Sequence, residues 1–250
     1  MRWKMKLLAT GILLAGLVSA TAVSAQDANR ILARIDSVLK APRDMTAVQK
    51  MTLIDRAGGR KSRTIKIMMK GSELRLIRFL SPADVCGVSF LRIAADRLYL
   101  YLPAFRKVRR IAASIKRESF MGTDFSYEDV SQTGYSKDYA AAEAQIQGDR
   151  YRVELRPKEG ADVGYGKIVL YADTATYVLR KAEFYDRSEK PVKILRTGRV
   201  KKIDGYWTPR EMEMVTVKTG HKTVLELSEI RFDQGLPDRL FTQRYLKRIK

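Results

Sequence analysis

Apolar and polar residues alternate with a period of two along most of the chain, a pattern typical of β-strands with one sheltered face. The alternation is clearest at residues 63–70, 97–102 and 150–156, and turn residues such as Gly71-Ser72 and Asp204-Gly205 separate the segments. Together the segments predict about eleven antiparallel strands. A twisted sheet of that width tends to curl. We therefore predict a mainly β protein with a single large curved sheet, open on one side as a half-barrel.

Three other segments are predicted to be helical or irregular and to cover the sheet. Residues 27–40 carry an apolar stripe with helical spacing and begin at Asp27, a residue suited to capping a helix. Residues 237–248 predict a terminal helix that starts with a proline. Between the two halves of the sheet, residues 112–144 lose the alternation, and the alanines after Tyr135 favour a helix. We expect these segments to form a helical lid over one face of the sheet.

The concave face of such a sheet must be filled by side chains, covered, or left as a ligand cavity. Methionines add an adaptable apolar surface suited to variable ligands, although core packing is the simpler explanation for each one. The alternation predicts these cavity residues: Ile65, Ile67, Met69, Leu98, Leu100, Met212 and Met214. If the register of strand 97–102 is shifted by one residue, Tyr99 and Tyr101 replace the two leucines.

The N-terminus has the three parts of a secretory signal peptide. Three basic residues lie among the first six, an apolar run covers residues 7–18, and Val23-Ser24-Ala25 supplies the small residues of a cleavage site. The apolar run is shorter than the ~20 residues that a spanning helix requires. We expect cleavage near Ala25, delivery to the periplasm, and a single mature domain over residues 26–250.

The chain is strongly basic, with 48 Lys and Arg against 28 Asp and Glu, a formal net charge of +20. For an exported protein, this charge favours anionic lipid or an acidic membrane protein as a partner, and it argues against nucleic acid. A solvated surface that only aids solubility is an equally simple explanation. The densest cluster, which we predict to dock to a membrane or a partner, comprises Arg106, Lys107, Arg109, Arg110, Lys116 and Arg117.

The residue types that carry enzymatic chemistry are scarce. The sole histidine, His221, lies in a predicted turn, the sole cysteine is Cys86, and nucleophile-elbow and phosphate-loop motifs are absent. Asp124, Glu128 and Asp129 form an acidic group for which a carboxylate pair or a calcium site is conceivable. We favour a structured turn in which these acids pair with the basic cluster. The sequence thus predicts no catalytic residues, metal or cofactor, and a protein that is not an enzyme.

The signal peptide followed by the helix around Ile31–Leu39, together with several sequence motifs, resembles the outer-membrane lipoprotein-sorting family, the LolA/LolB-like periplasmic carriers. The motifs are Gly87-Val-Ser-Phe-Leu91, Leu98-Tyr-Leu-Tyr-Leu-Pro103, Phe105-Arg-Lys-Val-Arg-Arg-Ile111, Ser119-Phe-Met-Gly-Thr-Asp-Phe-Ser-Tyr-Glu-Asp129 and, more weakly, Leu236-Pro-Asp-Arg-Leu-Phe-Thr242. The resemblance spans most of the mature chain. It is strongest to the branch often found near membrane efflux or lipid transporters.

This resemblance implies a half-open barrel whose apolar concave surface, covered by helices, accepts acyl chains. The expected function is a carrier or chaperone for lipid or lipoprotein acyl chains, transferring them between membranes or to an inner-membrane transporter. The alternative is a non-enzymatic lipid-sensing regulator or transporter accessory that uses the same cavity without carrying cargo. The resemblance supplies no catalytic residue and no cofactor.

Overall fold

The computed structural model describes residues 21–248, and side chains from residue 24 onward. Residues 1–20, most of the predicted signal peptide, lie outside this range. The first half contains β1 (Thr21–Val23), α1 (Ala25–Leu39), β2 (Asp44–Ile54), β3 (Arg60–Lys70), β4 (Leu74–Ser81), β5 (Ser89–Ala94), β6 (Arg97–Leu102) and β7 (Lys107–Arg110). The second half contains α2 (Tyr127–Ser131), β8 (Tyr139–Gln147), β9 (Arg150–Pro157), β10 (Lys167–Asp173), β11 (Leu179–Tyr185), β12 (Pro191–Ile203), β13 (Tyr206–Thr216), β14 (Lys222–Phe232) and α3 (Gln243–Leu246).

All fourteen described strands belong to one antiparallel sheet in the order β1-β8-β9-β10-β11-β12-β13-β14-β2-β3-β4-β5-β6-β7. The last strand, β14, pairs with β2 and so joins the two halves into one surface. Among the described strands, β7 and β1 end the order and do not pair with each other, so the sheet stays open. The predicted fold class is confirmed. The sequence undercounted the strands because β1 and β8 lack clear alternation.

Each face of the sheet carries its own hydrophobic core. On the face that we call inner, α1 and the excursion of residues 112–138 pack on strands from both halves, and we refer to α1 and this excursion together as the lid. On the outer face, a smaller core forms where the C-terminal segment covers β3 to β6. Its residues are Met68, Leu76, Leu91, Tyr101, Leu236, Phe241 and Leu246.

The first helix forms because its buried residues repeat with helical spacing. Ala28, Leu32 and Ile35 are fully buried against the sheet. The N-cap is Ser24 rather than the predicted Asp27: the Ser24 hydroxyl accepts a hydrogen bond from the Asp27 backbone nitrogen at 3.2 Å. Asp27 lies in the first turn, where its charge complements the helix dipole.

Two predicted helices are wrong. Residues 135–144 contribute to strand β8, where Ala141 and Ala144 are buried beneath α1. Small side chains here let the helix approach the strand closely, so the alanines reflect packing rather than helix propensity. The terminal helix over residues 237–248 is instead a 3₁₀ turn at Asp238–Leu240 followed by the four-residue α3. Its buried residues Leu236, Phe241 and Leu246 are spaced by five, which a continuous helix would not place on one face.

Candidate functional site

A cavity of about 350 Å³ lies between the inner face of the sheet and the lid. The walls come mainly from β2, β3, β13 and β14, and the lid closes one side with Phe120, Phe125 and Val130. Most of the lining is apolar. The lining side chains from the sheet include Met51, Ile65, Ile67, Met69, Ile77, Leu195, Met212, Leu225 and Leu227.

The cavity residues predicted from the sequence share the inner face but not one location. Ile65, Ile67, Met69 and Met212 line the cavity. Leu98 and Leu100 are buried in the inner core without lining the cavity. Met214 is buried in an adjoining pocket of about 60 Å³ with Phe184 and Tyr165.

The alternative residues of β6 point to the outer face. Tyr101 is buried in the outer core, and Tyr99 packs against that core. The two leucines therefore lie on the same face as the cavity, and the two tyrosines lie on the opposite face.

The excursion is fixed at its start by aromatic packing and a buried carboxylate. Phe120 is fully buried and contacts Phe90 edge-on, with ring centroids 5.6 Å apart. Asp124 Oδ1 accepts a hydrogen bond from the Thr216 hydroxyl at 2.5 Å, and Asp124 Oδ2 accepts one from the Thr223 hydroxyl at 2.7 Å and lies 2.7 Å from His221 Nδ1. The sole histidine thus orients a loop instead of facing the cavity.

The excursion is fixed at its end to α1. Asp36 is a buried residue of α1 whose carboxylate accepts from the backbone nitrogens of Tyr135 at 2.7 Å and Ser136 at 2.9 Å. The two parts of the lid are therefore joined to each other by hydrogen bonds to a single side chain.

A polar group under the lid holds α2 against the β9–β10 loop and β12. Asp129 accepts from Lys193 at 2.8 Å and from the Tyr165 hydroxyl at 2.9 Å, while Glu128 accepts from the Gly164 backbone nitrogen at 3.0 Å. Burial raises the pKa of Glu128, and burial together with Asp129 raises the pKa of Tyr165 well above its usual range. No described ion pair joins these acids to the basic cluster at 106–117, so the predicted pairing is wrong as a set of ion pairs: their hydrogen-bond partners lie in the β9–β10 loop and on β12, and of the cluster only the charge of Arg117 acts on Glu128.

Arg75 was not among the predicted site residues. It lies on β4, lines the cavity, and donates from Nη1 to the Val130 carbonyl of α2. Its Nε is buried and has no hydrogen-bond partner among the described residues. Burial, followed by the neighbouring charge of Arg92, lowers the pKa of Arg75 to about 10. The sequence could have identified Arg75 as a residue of the inner face, because the period of two places it on the same face as the apolar Ile77 and Phe79.

Gln49 is a second polar residue of the cavity wall that sequence reasoning missed. It is 1% exposed, and its Nε2 is buried with no partner among the described residues. It lies on β2 directly opposite Ile65 of β3. The apolar wall thus contains two donors that lack acceptors.

Comparison with known proteins places this geometry in a family. A domain from Vibrio parahaemolyticus, named for outer membrane lipoprotein sorting, is 30% identical, with 90% of this chain and 100% of that chain covered and a TM-score of 0.82. A DUF1329 family protein from Desulfovibrio piger is also 30% identical, covering 89% of this chain and 98% of that chain with a TM-score of 0.82. The chain belongs to the LolA-like lipoprotein-sorting family. This confirms the resemblance found in the sequence.

Three further comparisons agree with this assignment or add nothing to it. A LolA superfamily protein from Nitrosomonas europaea shares the fold at 22% identity, covering 90% of this chain and 100% of that chain with a TM-score of 0.73. A family profile described as an uncharacterized protein matches residues 71–248. No protein of curated function matches the sequence.

The basic cluster of this LolA-like protein is divided in the structure. Arg106, Lys107 and Arg109 line a groove of about 550 Å³ together with Arg244 and Lys247 of the C-terminal segment. Phe105, next to them, is 61% exposed. Arg110 and Arg117 lie outside this groove and pair with Asp96 and Asp162, and Lys116 also lies outside it.

Within residues 21–248, no group of three or more His, Cys, Asp or Glu side chains is arranged to hold a metal ion. No helix of the described range is long and apolar enough to cross a membrane.

Proposed function

We propose that this protein is a periplasmic carrier that binds acyl chains of lipids or lipoproteins in the cavity and transfers them between membranes or to a membrane transporter. The observation that carries the proposal is an apolar cavity of about 350 Å³ beneath a lid in a protein with a lipoprotein-carrier fold. That volume lies in the range of ~300–1,000 Å³ found for small-molecule sites.

The energetics of an acyl chain fit such a cavity. Each methylene moved from water into an apolar site contributes about 0.8 kcal/mol. Removing a chain from a bilayer gains no such term, since the lipid interior is equally apolar. A carrier of this kind therefore protects its cargo in the aqueous phase and returns it readily to a membrane.

The proposal assigns no chemical step to the protein. His221 contacts a buried carboxylate that also binds two threonines, an arrangement that positions the excursion. The acids of α2 are likewise engaged with Lys193, Tyr165 and Gly164. These contacts support structural rather than catalytic roles.

Docking to a membrane or a transporter is assigned to the groove of Arg106, Lys107 and Arg109 with Arg244 and Lys247. The exposed ring of Phe105 beside these cations provides an apolar contact for the same surface. Aromatic and basic residues together suit the boundary between headgroups and water.

A cavity-filling substitution tests the proposal. Ile67→Trp places a large ring in the cavity, whereas Val217→Trp adds the same ring at an exposed site outside it. We expect transfer of a fluorescent acyl lipid between two liposome populations to be lost in Ile67→Trp and retained in Val217→Trp.

The assay has two contrary outcomes. Lipid binding by the unmodified protein without exchange between liposomes would overturn the carrier and favour the lipid-sensing alternative. No lipid binding at all would overturn the assignment of the cavity to acyl chains.

A further inference from the structure

Arg75 places a cationic group in the wall of an apolar cavity. Its Nε is buried without a partner, and its described hydrogen bond is the one from Nη1 to the Val130 carbonyl. Accepting the proposed function, we propose that the cargo is an acidic amphiphile whose phosphate or carboxylate binds Arg75 while its acyl chain fills the cavity.

The nearest charges do not neutralise Arg75. No described carboxylate lies within ion-pair distance of it, and the charge that most affects it is the like charge of Arg92. Arg92 itself pairs with Glu73 at 3.0 Å. A guanidinium whose Nε is buried without an acid nearby is unfavourable unless a ligand supplies the missing anion.

The two acids that line the same cavity are already committed. Asp44 accepts from the backbone nitrogens of Gln234 at 2.8 Å and Leu236 at 3.0 Å. Asp129 accepts from Lys193 and Tyr165. Neither carboxylate can turn to Arg75 without leaving several donors unsatisfied.

The position of Arg75 fits a headgroup rather than a chain. It lies next to the β3–β4 turn at Gly71-Ser72. Two partly exposed apolar residues of the wall mark an opening of the cavity: Leu39 at the end of α1 is 41% exposed, and Trp207 at the start of β13 is 40% exposed. The buried Phe120, fixed near β5, belongs to the wall away from that turn. An amphiphile would direct its charged end to Arg75 and its chain toward Phe120 and Ile65.

Gln49 provides a second unpartnered hydrogen-bond donor in the cavity wall, between Arg75 and the buried end of the cavity. Its unpartnered Nε2 lies on the strand position opposite Ile65, among apolar side chains. An acyl ester carbonyl is an acceptor of the kind that this donor lacks. The wall is therefore suited to a cargo with an acid at one end and a carbonyl further along.

The test compares two lipids that differ only in the phosphate. Oleoyl lysophosphatidic acid and monooleoylglycerol share the chain, the ester and the glycerol. We expect the phosphate-bearing lipid to bind the unmodified protein about tenfold or more tightly, as charge-assisted hydrogen bonds allow. Arg75→Met should remove this preference, Arg75→Lys should keep part of it, and Arg97→Met, an exposed arginine outside the cavity, should leave it unchanged.

Each contrary result has a distinct meaning. Equal affinity for the two lipids would overturn the acidic-cargo inference and leave the carrier proposal standing, whereas failure of both lipids to bind would overturn both. Inorganic phosphate that binds as tightly as the lipid would contradict recognition of an amphiphile. The comparison of the two lipids needs only the unmodified protein, so it holds even if Arg75→Met fails to fold.

Discussion

At the scale of single residues, three acids of the excursion hold the lid to the rest of the protein. Asp124, Glu128 and Asp129 stand close to the basic cluster along the chain, which made pairing between them the natural expectation. Their partners are His221, Gly164 and Lys193, which the sheet brings together only after folding. Sequence proximity predicts which residues are charged, but only the topology determines which charges meet.

Glu128 gives stability a pH dependence with a definite sign. Burial raises its pKa, so the folded state binds the proton more readily than the unfolded chain does. Below the pKa of Glu128 in the unfolded chain, its burial costs no stability. As the pH rises through the pKa of the unfolded chain and then that of the folded state, the free energy of unfolding falls. Glu128→Gln removes this penalty and still offers an oxygen to the Gly164 nitrogen. We expect the variant to gain stability relative to the parent between pH 3 and pH 7.

Urea unfolding across that pH range measures the difference between parent and variant. The exposed Glu159→Gln serves as the matched control for removal of one carboxylate. If the Glu128→Gln difference stays constant with pH, or falls as the pH rises, the assigned shift is wrong.

At the scale of elements, the periodicity of the sequence predicted strands well and helices poorly. The strands from β2 to β7 appear close to their expected positions because alternation follows directly from one buried face. The alanines of β8 and the five-residue spacing of Leu236, Phe241 and Leu246 reflect packing against distant parts of the chain and not local helix formation. No local sequence pattern could therefore have predicted these two segments correctly.

The link between the excursion and the β13–β14 hairpin is tested at Asp124. Its buried carboxylate accepts from Thr216 and Thr223 and contacts His221, so Asp124→Ala leaves several polar groups without a partner. We expect a loss of about 2–4 kcal/mol in the free energy of unfolding, as for buried hydrogen-bonded charges. Asp96→Ala, which removes an exposed ion pair with Arg110, should cost less than about 1 kcal/mol.

Denaturant midpoints of the two variants, compared with the parent protein, check this expectation. Equal and small losses in both would mean that the Asp124 contacts contribute little to holding the excursion on the sheet. Lost lipid transfer by Asp124→Ala at unchanged stability and unchanged lipid binding would instead point to a catalytic role.

At the scale of the whole molecule, the sequence predicted the class of fold but not the cavity in detail. Alternation, width and twist led to a curved open sheet with a lid. The division of the basic cluster, the burial of Leu98 and Leu100 away from the cavity, and the role of Arg75 depend on how the sheet curves and on where the lid lies. These features arise from contacts between residues far apart in the chain, which periodicity does not encode.

The distribution of the charge of +20 leads to the last prediction. If the groove beside Phe105 docks to anionic membranes, Arg106→Gln, Lys107→Gln and Arg109→Gln together should weaken binding to phosphatidylglycerol liposomes on the order of a hundredfold, at about 1 kcal/mol per basic residue. The matched control removes three exposed charges from the β2–β3 hairpin, with Arg56→Gln, Arg60→Gln and Lys61→Gln. Co-sedimentation at low and high salt measures both variants, since salt screens exposed charges. Equal weakening by both triple variants would show that net charge alone attracts the protein, whereas selective loss in the first would establish the groove as the docking surface.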